Sequence, residues 1–183
     1  MKKVLTTVWA WTVLNATLFA QERVPKEMQF AIGGTYLLKQ KNSRFTGLYP
    51  AGARFVFNYG WQVSHLDRPY GSWIFIPLEI SYFPQNDKWW ILHYGWAIRH
   101  DIKIKNLVVF LSYYLLLNNM HVIGFDGGDM GHETRFTIGF LTSSFIIELG
   151  WATVRFPTIG DLSLRQQRLI LQMGYRIYKP LKQ

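Results

Sequence analysis

The sequence predicts an all-β protein, an eight-stranded antiparallel up-and-down transmembrane β-barrel. Three observations predict this fold class. Polar and apolar residues alternate with period two in eight segments of strand length. No segment after residue 20 is apolar over the roughly 20 residues that a membrane-spanning helix needs. Lysines fall at the ends of the predicted strands, whereas the charges in the middle of strands belong mostly to arginine and glutamate.

Composition excludes several classes of protein. The chain has 183 residues, 49% of them hydrophobic, which suits one folded domain and argues against disorder. It has no cysteine, so it can form neither disulfides nor thiolate metal sites. The net charge is +9, but the basic residues form no stripe and no nucleotide fingerprint is present. We therefore expect no nucleic-acid partner and no cofactor.

Residues 1–20 have the features of a secretory signal peptide. Two lysines follow the first methionine, an apolar stretch comes next, and Ala20 is a small residue of the kind that signal peptidase accepts. Leu18 departs from the usual small residue at position −3, and the alternative is a short membrane anchor that stays attached. We expect an exported protein with residues 21–27 as a periplasmic lead-in and residues 28–183 as the barrel.

The first four strands are predicted at residues 28–39, 54–64, 72–83 and 88–100. The second strand shows the pattern most plainly, because Phe55 and Tyr59 face one side while Arg54 and Asn58 face the other. The third strand sets apolar residues against Glu79. The fourth sets them against His93 and Arg99. Period two of this kind is typical of strands with one polar and one apolar face.

The last four strands are predicted at residues 105–118, 132–141, 145–154 and 168–178. The fifth contains the longest apolar run, residues 107–117, interrupted by Ser112. As a helix this run would rise only about 16 Å, against a hydrocarbon core of roughly 30 Å. As a strand it would reach about 36 Å, enough to cross that core at the usual tilt. The remaining three strands alternate apolar residues with Glu133, Glu148 and Arg168.

The predicted connections fall into two classes. Those after odd-numbered strands are longer on the whole and lie near residues 40–51, 84–87, 118–131 and 156–164. Those after even-numbered strands are shorter and lie near residues 65–71, 100–104 and 142–144. Long loops at one end, short turns at the other and an even strand count are typical of an outer-membrane barrel with both termini in the periplasm.

The positions of the charges predict which face is outside. A secreted lipocalin-like barrel would also have eight alternating strands, but its apolar face would point inward. The lysines after residue 20 lie at strand ends, in turns or in the termini, whereas arginine suits enclosed pairing with carboxylates. We therefore expect a lipid-facing apolar wall and an interior charge network made of Arg54, Glu79, His93, Arg99, Glu133, Arg135, Glu148, Arg168 and Arg176.

An interior network of this kind has two interpretations. An eight-stranded barrel is about wide enough for its own side chains, so the charges predict a salt-bridged plug without a wide pore. The alternative is a narrow anion-preferring path or a gated polar core.

The last predicted strand ends in an aromatic residue, Tyr178, and is followed by residues 179–183. In this strand and in the pattern over roughly residues 28–178, the sequence resembles the small outer-membrane barrels typified by OmpX and the transmembrane domain of OmpA. The resemblance is one of pattern. It implies a location in the outer membrane of a Gram-negative cell and insertion by the assembly machinery that reads the last strand.

One segment rich in glycine and aspartate is a candidate metal site. Asp126 and Asp129, with Glu133 and His132, could hold a divalent cation through oxygen ligands. The spacing is not that of an established calcium loop. The simpler interpretation is a turn supported by glycines, with solvated carboxylates.

A candidate catalytic pair is formed by His132 and Thr134, which resemble the His-x-Ser of outer-membrane lipid A deacylases. In that family a His/Ser pair and a glutamate face the lipid. Period two places both residues on the lipid side, but pairing about a turn near residues 143–144 would put residue 132 opposite residue 155. Glu148 would then lie near residue 139 on the inward face, beyond the hydrogen-bond reach that a triad requires.

Three functions follow from these observations. The first is a non-enzymatic barrel of the outer membrane, either structural or the membrane subunit of an envelope, export or surface complex. Its partners would be outer-membrane lipids, lipopolysaccharide and proteins of such a complex. The second is a lipid A-modifying enzyme of the deacylase kind. The third is a secreted lipocalin-like carrier.

Overall fold

The computed structural model is a closed antiparallel barrel whose eight strands neighbour one another in chain order. It describes residues 24–41, 51–64, 70–84, 89–105, 107–122, 128–159 and 162–180. The predicted signal peptide lies outside these residues. The predicted fold class is confirmed. The strands are β1 Lys26–Lys41, β2 Ala51–Gln62, β3 Ser72–Phe83, β4 Trp89–Ile104, β5 Leu107–Val122, β6 Gly128–Leu141, β7 Phe145–Ile159 and β8 Leu162–Lys179.

The barrel closes where β1 pairs with β8. This ladder runs from Lys26 opposite Lys179 to Lys41 opposite Arg165, with one register shift between Leu37 and Lys39. Closure gives every strand two hydrogen-bonded neighbours, so the sheet has no open edge and can cross a lipid phase. The described residues contain no helix that is both long enough and apolar enough to span a membrane.

The two faces of the sheet differ sharply in chemistry. Large apolar side chains point away from the barrel axis, and Phe136 is 63% exposed. Charged side chains point toward the axis, where Arg54 and Glu79 are 1% and 0% exposed. This is the reverse of a lipocalin-like carrier, which needs its apolar face inside.

Strand β1 begins earlier than its sequence suggested. It starts at Lys26, so Glu27 belongs to the barrel and the lead-in expected at residues 21–27 is too long. The backbone shows why, since the N–H of Gln62 donates to the carbonyl oxygen of Pro25 at 3.0 Å. Polar residues at the start of this strand point into a polar lumen, so they do not end it.

Several expected loops are also shorter, because polar residues that the sequence assigns to loops belong to the ends of strands. Strand β4 continues to Ile104 and β5 begins at Leu107, so the turn expected at 100–104 comes later in the chain. Lys105 has a φ of 56°, the left-handed conformation that two-residue hairpin turns use. Strand β5 runs to Val122 and β6 begins at Gly128, so the connection expected at 118–131 is shorter, and the end of β7 at Ile159 and start of β8 at Leu162 shorten the one expected at 156–164. The contrast between long loops at one end and short turns at the other is therefore weaker than predicted.

Aromatic rings share the lumen with the charges. Trp73, Phe75 and Phe110 are buried there. Two glycines make room for them: a Cβ on Gly60 would lie 2.3 Å from Cδ1 of Phe75, and one on Gly139 would lie 2.3 Å from Cζ of Phe110. Only a residue without a side chain fits opposite the rings at these two positions.

Candidate functional site

The lumen holds five arginines and five carboxylates, each no more than 6% exposed. The sequence had indicated five arginines against three glutamates in mid-strand. The two additional acids are Glu27, which the sequence assigned to the lead-in, and Asp101, which it assigned to a turn. Counting every described inward charge therefore gives a neutral interior, as burial of charge in a low dielectric requires.

The first charge cluster lies near the end of the barrel that holds both termini. Arg99 donates from Nη1 to Oε1 of Glu27 at 2.7 Å and from Nη2 to Oε2 of the same carboxylate at 3.0 Å. Its Nε lies 2.6 Å from Oδ1 of Asp101. Arg176 adds a contact from Nη2 to Oε2 of Glu27 at 2.9 Å. This cluster, which we call the terminal cluster, joins β1, β4 and β8.

Aromatic rings pack around the central guanidinium of the terminal cluster. The Cζ of Arg99 lies 4.7 Å from the ring centroid of Phe75, 5.2 Å from that of Trp73 and 5.6 Å from that of Phe110. Arginine is the cation suited to this position because its flat group can stack while its edge donates hydrogen bonds.

The second cluster lies in the middle of the lumen and joins β2, β3 and β6. Arg135 donates to both oxygens of Glu79, at 3.0 and 2.8 Å, and its Nε donates to Oε1 of Glu133 at 2.8 Å. Arg54 donates through Nε to Glu79 at 3.2 Å and through Nη2 to Glu133 at 3.5 Å. We call these four residues the central cluster. Its two cations balance its two anions.

His93 borders the central cluster. Its Nδ1 lies 2.7 Å from Oδ1 of Asn118 and 3.3 Å from Oε2 of Glu133, and its Nε2 lies 2.9 Å from Oγ of Ser81. Both ring nitrogens therefore have partners. This environment is that of a histidine held within a polar core.

Glu148 is held by neutral donors. Its Oε1 accepts hydrogen bonds from the hydroxyls of Tyr114, at 2.9 Å, and of Thr137. Its Oε2 accepts from Nε2 of Gln172. No cation among the described residues forms an ion pair with Glu148, so three neutral donors compensate its burial.

Arg168 has the opposite arrangement. Its Nε and Nη2 donate to Oε1 of Gln166 at 2.9 and 2.7 Å, and its Cζ lies 4.6 Å from the ring centroid of Phe83. No carboxylate in the described part of the chain pairs with it. It lies toward the end of the barrel opposite the termini.

The candidate catalytic pair faces outward. His132 is exposed and Thr134 half-buried, on the same side of β6 as Phe136. The pairing register is the one predicted, with His132 opposite Arg155 and Gly139 opposite Glu148. Every carboxylate whose side chain is described points into the lumen. Within that part of the chain, His132 has no acid to orient it.

The candidate metal ligands are only partly described. Asp126 lies outside the described residues, and Asp129 is described as a backbone position in β6. Among the described residues no group of three or more potential ligands is arranged to hold a metal ion.

Comparison with solved structures shows which fold this barrel shares. Neisserial surface protein A aligns with a TM-score of 0.59 at 12% identity, over 84% of this chain and 96% of that one. The chain has the fold of the small outer-membrane β-barrels. OprG from Pseudomonas aeruginosa aligns at 0.51 and 4% identity, over 85% of this chain and 97% of that one. The predicted resemblance in fold is confirmed.

The same comparison does not separate an enzyme from a non-enzyme. The outer membrane enzyme PagL aligns with a TM-score of 0.51 at 10% identity, over 80% of this chain and 97% of that one. At such identities the similarity concerns the fold alone. No protein-family model matches the chain, and no curated protein matches it either.

Proposed function

We propose that the chain is a non-enzymatic integral protein of the outer membrane. The observation that supports this most strongly is the inverted burial of the barrel, with charged residues inside and large apolar residues outside. In water such a wall would expose far more contiguous apolar surface than soluble monomers tolerate. In lipid the same wall is the favourable surface, and the closed sheet leaves no unpaired edge.

The proposed role is structural, or that of a membrane subunit in an envelope, export or surface complex. Two neutral charge clusters and several aromatic rings fill the lumen, which supports a sealed barrel. The outer wall is then the surface open to lipids and protein partners. An enzymatic role of His132 has weaker support because no described acid lies on its side of the sheet.

The proposed orientation places both termini in the periplasm. Lys26 and Lys179 pair at one end of the barrel, and the three connections after β2, β4 and β6 lie at that same end. Periplasmic turns and termini at one end are usual in such barrels. A tag at the carboxyl terminus should then resist protease in intact cells and become sensitive once the outer membrane is opened.

Heat modifiability in fractionated membranes tests the proposed function. A folded barrel of this class resists dodecyl sulfate until it is boiled and then changes its mobility. We expect the protein in the outer-membrane fraction with such a shift. Recovery as a soluble protein without a shift would overturn the proposal. Crosslinking before mild solubilisation tests the subunit version, which predicts a defined co-purifying protein.

A further inference from the structure

Basic side chains form a row on the outer wall at the rim opposite the termini. His132 pairs with Arg155 across β6 and β7, and Arg155 pairs with Arg165 across β7 and β8. All three side chains are exposed. Lys39 on β1 is exposed beside them, opposite Gln167. Neighbouring strands lie about 4.8 Å apart, so one ligand group can reach two adjacent side chains. We call these four residues the rim row.

The charge of the rim row is not compensated by any carboxylate whose side chain the structure describes. The five carboxylates with described side chains all point into the lumen. None of them forms an ion pair with Arg155, Arg165 or Lys39. The part of the outer wall that the structure describes therefore presents cations without acids, an arrangement that favours an anionic ligand.

The rim row lies one membrane thickness away from the opposite end of the wall. Along β7 the outward residues are apolar from Phe145 to Trp151, and Arg155 follows after Thr153. Phe145 and Arg155 are ten residues apart, about 33 Å along a strand and about 25 Å along the axis at the usual tilt. Arg155 thus stands at the level where lipid headgroups begin.

An apolar groove lies below the rim row on the same outer wall, and Trp151 at its upper edge is four residues from Arg155 along β7. It has a volume of about 660 Å³ and runs across the outer wall from β4 to β8. Its upper edge includes Phe136, Trp151 and Leu169, and its lower part includes Ile138 and Leu149. Phe136 pairs with Trp151 and Trp151 with Leu169, so the upper edge is itself a row across three strands. The groove suits an acyl chain.

We propose that the rim row and this groove form one binding site for a phosphorylated lipid of the surrounding leaflet. The phosphate would accept hydrogen bonds from Arg155 and Arg165, whose planar guanidinium groups match phosphate oxygens. Lys39 and His132 would flank it, and an acyl chain would lie in the groove. The inference rests on the proposed membrane location and adds a lipid class and named contacts to it.

Native mass spectrometry of the purified barrel in detergent tests the site. The probes are diphosphoryl lipid A and the same lipid A stripped of both phosphates. We expect the wild-type protein to bind the diphosphoryl form at least thirtyfold more tightly. Each basic side chain at a membrane surface contributes about fivefold in affinity, so Arg155→Gln with Arg165→Gln should weaken that binding about thirtyfold. Binding of the dephosphorylated form should not change.

The matched control removes two charges from the other rim. Lys105 and Lys179 are exposed at the end that holds the termini. Lys105→Gln with Lys179→Gln should leave the affinity within twofold of the wild type. An equal loss of affinity in both double variants would show that only the net charge of the protein matters and would overturn the site. Equal binding of the two lipid A forms by the wild-type protein would overturn it without any variant.

The groove has its own pair of variants. Leu149→Trp fills the groove, whereas Ile80→Trp adds the same ring to an outward position of β3 that does not line it. We expect only Leu149→Trp to weaken lipid binding, and equal effects would overturn the groove's part in the site. Heat modifiability of each preparation separates the two proposals. If the barrel shifts its mobility on boiling but binds both forms of lipid A equally, this site alone is overturned. If the protein is never found in the membrane, the proposed function is overturned.

Discussion

Arg135 donates two parallel hydrogen bonds to the carboxylate of Glu79, at 3.0 and 2.8 Å, across the lumen of the barrel. The two residues lie on β6 and β3, which are not neighbours in the sheet. The pair therefore connects opposite walls, and both side chains are 0% exposed. This cross-lumen contact is the feature on which the account of a sealed barrel depends.

Breaking this pair should destabilise the barrel strongly. Glu79→Gln leaves Arg54 and Arg135 with only Glu133 as a charged partner in the central cluster. Removing one partner of a buried ion pair costs about 3–5 kcal/mol in the free energy of unfolding. Urea unfolding in detergent micelles measures it. Lys179→Gln, at the exposed rim, is the control and should change stability by less than about 1 kcal/mol. Equal effects would contradict a cross-lumen role.

A methyl group on an inward glycine should be harmful where an aromatic ring faces it. Gly60→Ala places Cβ against the ring of Phe75 and should destabilise the barrel by about 1–3 kcal/mol. Gly34→Ala is the matched control, because the nearest atom there is a carbonyl oxygen at 3.9 Å. The control should be neutral or slightly stabilising, since alanine loses less backbone entropy than glycine. Thermal unfolding of both variants measures the difference, and equal melting temperatures would contradict the packing described.

The filled lumen should not conduct ions. We expect purified protein in planar lipid bilayers to give no stable current steps, because the two neutral clusters and the aromatic rings occupy the interior. Stable anion-selective current steps would contradict this prediction. Arg168 has no carboxylate partner among the described residues, so Arg168→Gln should abolish such a current if it exists.

The outward-facing His132 and Thr134 should have no role in lipid hydrolysis. Lipid A from cells with the wild-type gene, with His132→Ala and without the gene should give identical mass spectra. The physical reason is that Glu148, the glutamate on the neighbouring strand β7, lies opposite Gly139 and points inward. Loss of an acyl chain only in cells with the wild-type gene would refute this expectation.

Much of the fold follows from local pattern. Period-two alternation predicts eight strands and their faces, and a short turn after Leu141 is enough to place Gly139 opposite Glu148. These features depend on residues that are close in sequence. The sequence predicts them because each strand of a closed barrel in lipid must have one apolar face.

Strand ends and long-range pairs are harder to predict from the sequence. Glu27 and Asp101 look like lead-in and turn residues, because polarity at a strand end resembles polarity in a loop. Both acids belong to the barrel interior because they pair with Arg99. This arginine is 72 positions from Glu27 in sequence, yet its Nη1 lies 2.7 Å from Oε1 of Glu27 in the lumen. Such contacts arise from strand stagger across the barrel, which no short segment encodes. Trp73, by contrast, stacks beside Arg99 as its direct cross-strand partner in the β3–β4 ladder.

The outward orientation of the apolar face is the central claim, and spin-label accessibility tests it most directly. The chain has no cysteine, so single cysteines can be placed freely. Ile147→Cys and Leu149→Cys lie on the outer wall of β7, and Ser143→Cys lies in the exposed turn before it. In lipid bilayers, labels at 147 and 149 should collide more with dissolved oxygen than with a water-soluble nickel complex, and the label at 143 should show the reverse. Labels at 147 and 149 that favour the nickel complex would contradict a lipid-facing wall.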